Sequence, residues 1–275
     1  MKFYKRAVLA LAMAVTLAAQ CRSQVLREVP APATLPPCLI HYYDSNLGNS
    51  ETRLILYKSD QTYVEIYDYY GSLLPLGTSA PQSGTYTYTV DPQNSAHAAI
   101  TYTGGNLGAD QLYFYAPNSG VQSSSLIIGG FISAFTLYPQ QSTNGGTNMS
   151  NRCQLAIGGT GITGFVVQSG APRWVLLRTV GTSLGSFGVT PTVSSPSFTL
   201  YDSTQTVVGT SSVWSADPNL VGGYEIVFSM VGAFPLKGGS DEGVLLVPLN
   251  PGAYTATYQA GSTGTILCEA YILPF

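Results

Sequence analysis

The chain has 275 residues, a formal net charge of −3, 45% hydrophobic residues and only 9% charged ones. That hydrophobic content excludes a wholly disordered chain, and the lack of any basic run argues against nucleic acid as a partner. The length accommodates two modest domains or one large β-domain, either able to bury a real core.

Lys2, Lys5 and Arg6 precede a small apolar run from Ala7 to Ala19. A positive segment followed by an apolar one too short to span a bilayer is the pattern of a signal peptide. The expectation is an exported protein, secreted, periplasmic or at the cell surface. Its leader occupies residues 1–19, with cleavage after Ala18 or Ala19, or else after Ser23. Lipidation at Cys21 is disfavoured by Gln20 just before it. No later run approaches about eighteen consecutive apolar residues, so no transmembrane helix is expected in the mature chain.

A Pro-rich lead over 20–37 comes next. Then CLIHYYD, TRLILYK, TYVEIYDYY, GTYTYTV, HAAITYT, QLYFYA and SSLIIGGFISAFTL follow one another, punctuated by Gly, Pro, Asn and Asp. These runs read as a β-meander or small β-barrel over 38–138. Alternation assigns faces, because successive strand side chains point to opposite sides. Tyr86, Tyr88 and Val90 share one side, as do Ala98, Ile100 and Tyr102, and Leu112 and Phe114. These are the expected core. In TYVEIYDYY, Val64 and Ile66 oppose Tyr63, Glu65, Tyr67 and Tyr69. Tyr113 and Tyr115 likewise oppose Leu112 and Phe114. If that second side is open, Tyr63, Tyr67, Tyr69, Tyr113 and Tyr115 form an aromatic platform with Glu65 as its polar group, suited to sugar rings. If it is the barrel interior, the tyrosines are core. The run from GTYTYTV to GGFISAFTL is similar to small lipocalin-like β-barrel domains, which implies a closed antiparallel barrel.

PQQSTNGGTNMSN, 139–151, has no apolar periodicity and reads as a linker. Beyond it, strands are expected near 153–157, 162–168, 173–180, 197–202, 206–213, 224–230, 244–249, 252–259 and 264–272. That count fits a two-sheet β-sandwich over 152–275. The fold class expected is all-β, with essentially no helix after the leader.

The C-terminal half is organised around RWVLLRTVGTSLGSFGVT, Arg173–Thr190. Its first part reads as a buried strand bounded by Pro172 and Gly181. Gly181-Thr182-Ser183-Leu184-Gly185 is a formal match to the G-x-S-x-G nucleophile elbow. That motif needs a His after the Ser and a helix after the turn. The only histidines, His41 and His97, lie upstream, and SFGVTPTVSSPS carries two prolines. A glycine turn closing a strand is the expectation, and His41 and His97 read as structural. Gly159–Gly164 matches G-x-G-x-x-G, but another strand follows it where a dinucleotide site needs a helix, so it reads as a hairpin turn. Asp202, Asp217, Asp241 and Glu242 fall in expected loops without the local ligand run of a calcium site.

RWVLLRTVGTSLGSFGVT, then PSFTLYDS, then LLVPLNPGAYTATYQAGSTGTILCEAYIL resembles a C-terminal β-module of large secreted proteins of verrucomicrobial-type bacteria, over roughly 151–275. The resemblance implies fold and secretion and no catalytic activity. Two departures stand out. Thr182 replaces the module's Pro before the Ser. Ser211-Ser212-Val213-Trp214 replaces its polar N-D-N-W, so no cation site is carried over.

Four cysteines in an exported chain point to disulfides. Cys153 opens the expected sandwich and Cys268 lies in its last strand, so a Cys153–Cys268 bridge is favoured, contributing about 4–5 kcal/mol in the chain-entropy picture. Cys38 would pair with Cys21 if the leader is cut before it. Metal binding is the poorer reading, because there is no C-x-x-C and no His partner. No cofactor is expected. Export, low charge and modular β architecture point to a non-enzymatic structural or adhesive protein of the cell envelope. The alternatives are a carbohydrate-binding module using the tyrosine face and, last, a secreted hydrolase. Polysaccharide or envelope components are the partners such a chain would meet.

Overall fold

The computed structural model describes residues 27–43, 51–70, 82–105, 107–124, 132–141, 148–168 and 170–275. The fold is all-β. Eight antiparallel strands close into a barrel in chain order: β1 (Cys38–Tyr43), β2 (Glu51–Tyr57), β3 (Thr62–Tyr70), β4 (Ser83–Val90), β5 (His97–Thr103), β6 (Ala109–Ala116), β7 (Ser119–Ser124) and β8 (Ile132–Pro139). Closure comes from β8 pairing back onto β1, with Ile40 opposite Leu137 and Tyr42 opposite Phe135. The run read as SSLIIGGFISAFTL contributes its ends to two strands, β7 and β8; residues 125–131 between them lie outside the described residues.

Alternation places Ile40, Tyr42, Ile55, Tyr57, Tyr86, Ile100, Leu112 and Phe114 inside the barrel, in one buried cluster. The lead closes over this interior. The Val29 amide donates to the Phe114 carbonyl at 3.1 Å, the Ala31 amide to the Ser95 carbonyl at 2.7 Å, and the Tyr88 hydroxyl to the Pro32 carbonyl at 2.8 Å.

Two further sheets form the C-terminal half. One has the order β10 (Thr160–Val167), β16 (Gly252–Gln259), β12 (Ser197–Asp202), β13 (Val207–Thr210). The other has the order β14 (Ser212–Val213), β15 (Gly243–Leu249), β11 (Arg173–Val180), β17 (Gly264–Ile272), β9 (Asn148–Leu155). Val175, Leu177, Phe198, Leu200, Tyr258 and Ile266 fill the space between them. β9 begins at Asn148, inside the stretch expected to be linker.

Among the described residues one α-helix departs from the all-strand expectation. Residues Pro218–Val231 form a 14-residue helix, α1, where a strand over 224–230 was expected. Pro218 sits at the start, where its missing N–H costs nothing. Leu220, Tyr224, Val227, Phe228 and Val231 recur at helical spacing along one face. That face packs where the barrel meets the five-stranded sheet. Leu39, Leu54, Leu56 and Ile66, on the outside of the barrel, share one cluster with Trp174, Leu176, Val227, Phe228 and Tyr271. Burying this many large side chains, at about 1.5–3 kcal/mol each, joins the two halves through a common core.

Candidate functional site

The elbow-like serine sits in a saturated turn. β11 runs into a short 3-10 helix, Thr182–Phe187, with no α-helix behind it. Glu242, fully buried, enters from the start of β15. One of its oxygens accepts from the Gly181 amide at 3.1 Å and the Ser183 amide at 2.7 Å. The other accepts from the hydroxyls of Ser183 and Ser240, each at 2.6 Å. Trp214 donates its indole N–H to Ser240 at 2.9 Å, and the Lys237 amide donates to Ser183 Oγ at 2.7 Å. Ser183 is 3% exposed. Its hydroxyl both donates and accepts, with neither histidine nearby. His41 lies against Trp174, ring to ring at 5.4 Å, at the far end of β11, about 20 Å from the turn at the usual strand rise. The carboxylate therefore acts as a clamp that ties the β11 turn to the 237–242 segment.

Inside the barrel a second polar cluster is built on strands that alternation makes mostly apolar. Arg53 Nη2 donates to Asp110 Oδ2 at 2.6 Å. The Tyr102 hydroxyl donates to the same oxygen at 2.6 Å, and Gln122 donates to Oδ1 at 2.7 Å. Tyr57 bonds the Tyr102 hydroxyl and, at 3.1 Å, the Tyr42 hydroxyl. The Arg53 guanidinium lies 4.5 Å from the centroid of the Tyr42 ring. Burial works against the Arg53 cation, but the Asp110 carboxylate outweighs it and holds its pKa above the usual value. Burial first, and Asp110 next, pushes the Tyr102 hydroxyl well up, so it stays a donor. Sequence reasoning passed over this network. The signal was present: Arg53 shares its strand side with Ile55 and Tyr57, and Asp110 shares its side with Leu112 and Phe114.

The expected tyrosine platform is not one surface. Tyr63 is fully buried and Glu65 is 1% exposed. Both lie on the inner side of the barrel wall, Tyr63 beside Tyr57 and donating to the Gly104 carbonyl at 2.6 Å. Tyr113 and Tyr115 are half-buried on the outer side, alternating with buried Leu112 and Phe114. The side chains of Tyr67 and Tyr69 lie outside the described residues. The reason is burial on both faces of β3: Val64 and Ile66, taken as its core side, face outward toward the sandwich and α1, with Ile66 in the shared core. On the outer wall Tyr113 is stacked under His97, centroids 4.5 Å apart and planes 6° apart. His97 also meets Asp91 at 3.2 Å and Gln111 at 2.9 Å.

The Cys153–Cys268 bridge is likewise corrected. Cys38, Cys153 and Cys268 are free thiols, and Cys21 lies outside the described residues. In the β9–β17 register Cys153 faces Ile266 and Cys268 faces Asn151. The two cysteines are thus diagonal neighbours on one face, a spacing at the limit of what a disulfide spans. Among the described residues no group of three or more His, Cys, Asp or Glu side chains is arranged to hold a metal ion. Asp202 caps its own turn through Thr204 and Thr206, and Asp241 binds Ser195. In the G-x-G-x-x-G stretch, Gly161 lies under the Tyr258 ring, where a Cβ would come within 2.0 Å.

No known protein-family model matches the sequence, and no curated protein does. Among solved structures, the pre-peptidase C-terminal domain of a collagenase from Bacillus anthracis is similar with a TM-score of 0.28 and 13% identity, over 48% of this chain and 96% of that one. An exo-β-1,3-galactanase from Phanerochaete chrysosporium, solved with galactose, gives 0.22 and 11%, over 86% and 68%. A β-porphyranase of glycoside hydrolase family 86 from Bacteroides plebeius gives 0.26 and 10%, over 84% and 37%. At these scores none of them carries an argument about this chain.

Proposed function

We propose that the chain is an exported, non-enzymatic β-module protein with a structural or adhesive role in the cell envelope or extracellular matrix. The observation that carries this reading is the core shared between barrel and sandwich. Leu39, Leu54, Leu56 and Ile66 of the barrel wall are buried with Trp174, Leu176 and Phe228, so two modules are joined as one stiff unit. The barrel interior is filled by the chain's own tyrosines and by the Arg53–Asp110 pair. The signal-peptide pattern and the resemblance to secreted C-terminal modules agree with export.

Fractionation of cells expressing the tagged chain, with protease added to intact cells, is the test. The expected result is chain in the envelope or medium, cleaved from outside when surface-held. Recovery from the cytoplasm alone sinks the reading. The carbohydrate-binding alternative is left with the outer-wall group Tyr113, Tyr115, His97 and Gln111. A polysaccharide array that gives binding lost in Tyr113→Ala favours that alternative.

A further inference from the structure

Among the described residues the two sheets of the sandwich end in four edge strands: β13, β14, β9 and β10. Three of them are blunted against further pairing. β13 has four residues and its partner β12 slips register between Leu200 and Tyr201. β14 has two residues. β9 exposes Arg152 among Asn148, Ser150, Asn151 and Gln154. Short length, irregular register and edge charge are the devices by which sheets avoid edge-to-edge contact. β10 has none of them. Its eight residues pair with β16 in unbroken register, and TGITGFVV contains neither a charge nor a proline. Among the described residues no strand lies on its other side. Ile157, in the turn before it, and Ile162 and Val166 within it are 71%, 65% and 62% exposed, more than any other large apolar side chain described. The Ile162 carbonyl takes a long bond, 3.4 Å, from the Tyr258 hydroxyl; a carbonyl accepts two, so room remains for a strand amide.

We propose that β10 is a dimer edge, pairing antiparallel with β10 of a second copy about a two-fold axis at Gly164. Main-chain hydrogen bonds then continue each four-stranded sheet into the other. The strand's chemistry favours its own copy over an unrelated strand. A two-fold contact uses the same patch twice, so any charge near the axis meets its like. β10 carries no charge, in a chain with 14 acidic and 11 basic residues. Opposed residues of antiparallel strands share a face. An axis at Gly164 therefore sets Ile162 against Val166 of the other copy, twice, and Thr163 against Phe165 on the core side, twice. Apolar and β-branched cross-strand pairs of this kind stabilise sheets, and Gly164 puts no side chain at the axis. Arg152 of the neighbouring β9 lies on the strand face opposite Cys153 and Leu155, which pack inward, so it is turned away from the joint. The dimer goes beyond the envelope role proposed above and holds whether or not the chain is exported.

The test is sedimentation velocity of the intact chain from sub-micromolar to high-micromolar concentration. A contact built on one strand pair is at the small end of specific interfaces, so a reversible dimer with a dissociation constant on the order of micromolar is expected. Ile162→Lys and Val166→Glu, each at an exposed position, should each weaken the dimer by roughly tenfold or more, since every dimer carries the change twice. Both changes in one chain bring opposite charges together across the axis, and dimerisation should return. Val207→Lys, on the β13 edge, should leave it unchanged. Amides of residues 160–167 should exchange more slowly with deuterium as the unsubstituted chain is concentrated. That measurement stands even where a variant fails to fold. A monomer at every concentration overturns the proposal, as does exchange over 160–167 that ignores concentration. So do a dimer unaffected by Ile162→Lys, no recovery in the double variant, and growth into larger assemblies.

Discussion

Gly223 of α1 lies directly against the backbone carbonyl of Ile66 in β3: a Cβ at Gly223 would come within 1.7 Å of that oxygen. The glycine is what lets the helix approach the barrel wall. Gly223→Ala must push α1 off β3 and loosen the shared core, so a loss of about 1–3 kcal/mol is expected, as for overpacked cores. Gly238→Ala, where a Cβ meets open space, should change stability by less than about 0.5 kcal/mol. Urea denaturation of the two variants checks this; equal midpoints would contradict it.

The Glu242 clamp makes its own prediction. Glu242→Ala leaves buried donors at Gly181, Ser183 and Ser240 without their acceptor, so a cost of about 3–5 kcal/mol is expected. Ser183→Ala removes one donor and the acceptor of the Lys237 amide, costing about 1–3 kcal/mol. In an esterase and peptidase panel, Ser183→Ala should match the unsubstituted protein. Hydrolysis that vanishes with Ser183 would make the turn catalytic.

The ion pair inside the barrel behaves asymmetrically. Asp110→Ala strands the Arg53 cation among tyrosines and should cost about 3–5 kcal/mol. Replacing both partners, Arg53→Met with Asp110→Leu, should recover most of that loss, because two desolvated charges are removed together. A double-mutant cycle by chemical denaturation measures the difference.

His41 gives a pH dependence. Burial lowers its pKa below the ordinary 6.5, so the folded state favours the neutral ring beside Trp174. Above about pH 7 the ring is neutral in both folded and unfolded chains, and the full stability is present. As pH falls through 6.5 the unfolded chain takes up a proton that the folded chain resists, and stability drops until the folded pKa is reached. Melting temperatures between about pH 7.5 and 5.5 should therefore fall, and less steeply in His41→Gln. Identical slopes in the two proteins would exclude the histidine as the cause.

Much of the fold is legible in the residues. β11, β12, β16 and β17 coincide with RWVLLRTV, SFTLYD, GAYTATYQ and GTILCEAYI because Pro172, Pro196 and Pro251 precede the first three and Gly264 opens the last. The inner sides of β4, β5 and β6 follow simple alternation. α1 is hidden by Gly222 and Gly223, which lower helix propensity by about 1 kcal/mol each; at Gly223 the missing side chain serves packing. The faces of β3 are hidden for another reason. Tyr63 and Ile66 are both buried, on opposite sides of the wall, and alternation cannot choose between two buried faces. The Cys153–Cys268 bridge is expected from the first and last strands lying side by side, but register sets the two cysteines two residues out of line, an offset that does not show in composition. The Glu242 clamp depends on a contact 59 residues apart, which no local pattern records.

The shared core also sets an order of events during synthesis. All eight barrel strands are complete by Pro139, yet Trp174, Leu176, Phe228 and Tyr271, which bury Leu39, Leu54, Leu56 and Ile66, come later in the chain. A barrel that closes before the later half is in place has an apolar flank bare, until nearly the last residue arrives to cover it. A chain stopped early, or cut between the halves before folding, would carry that flank as an adhesive surface for its neighbours.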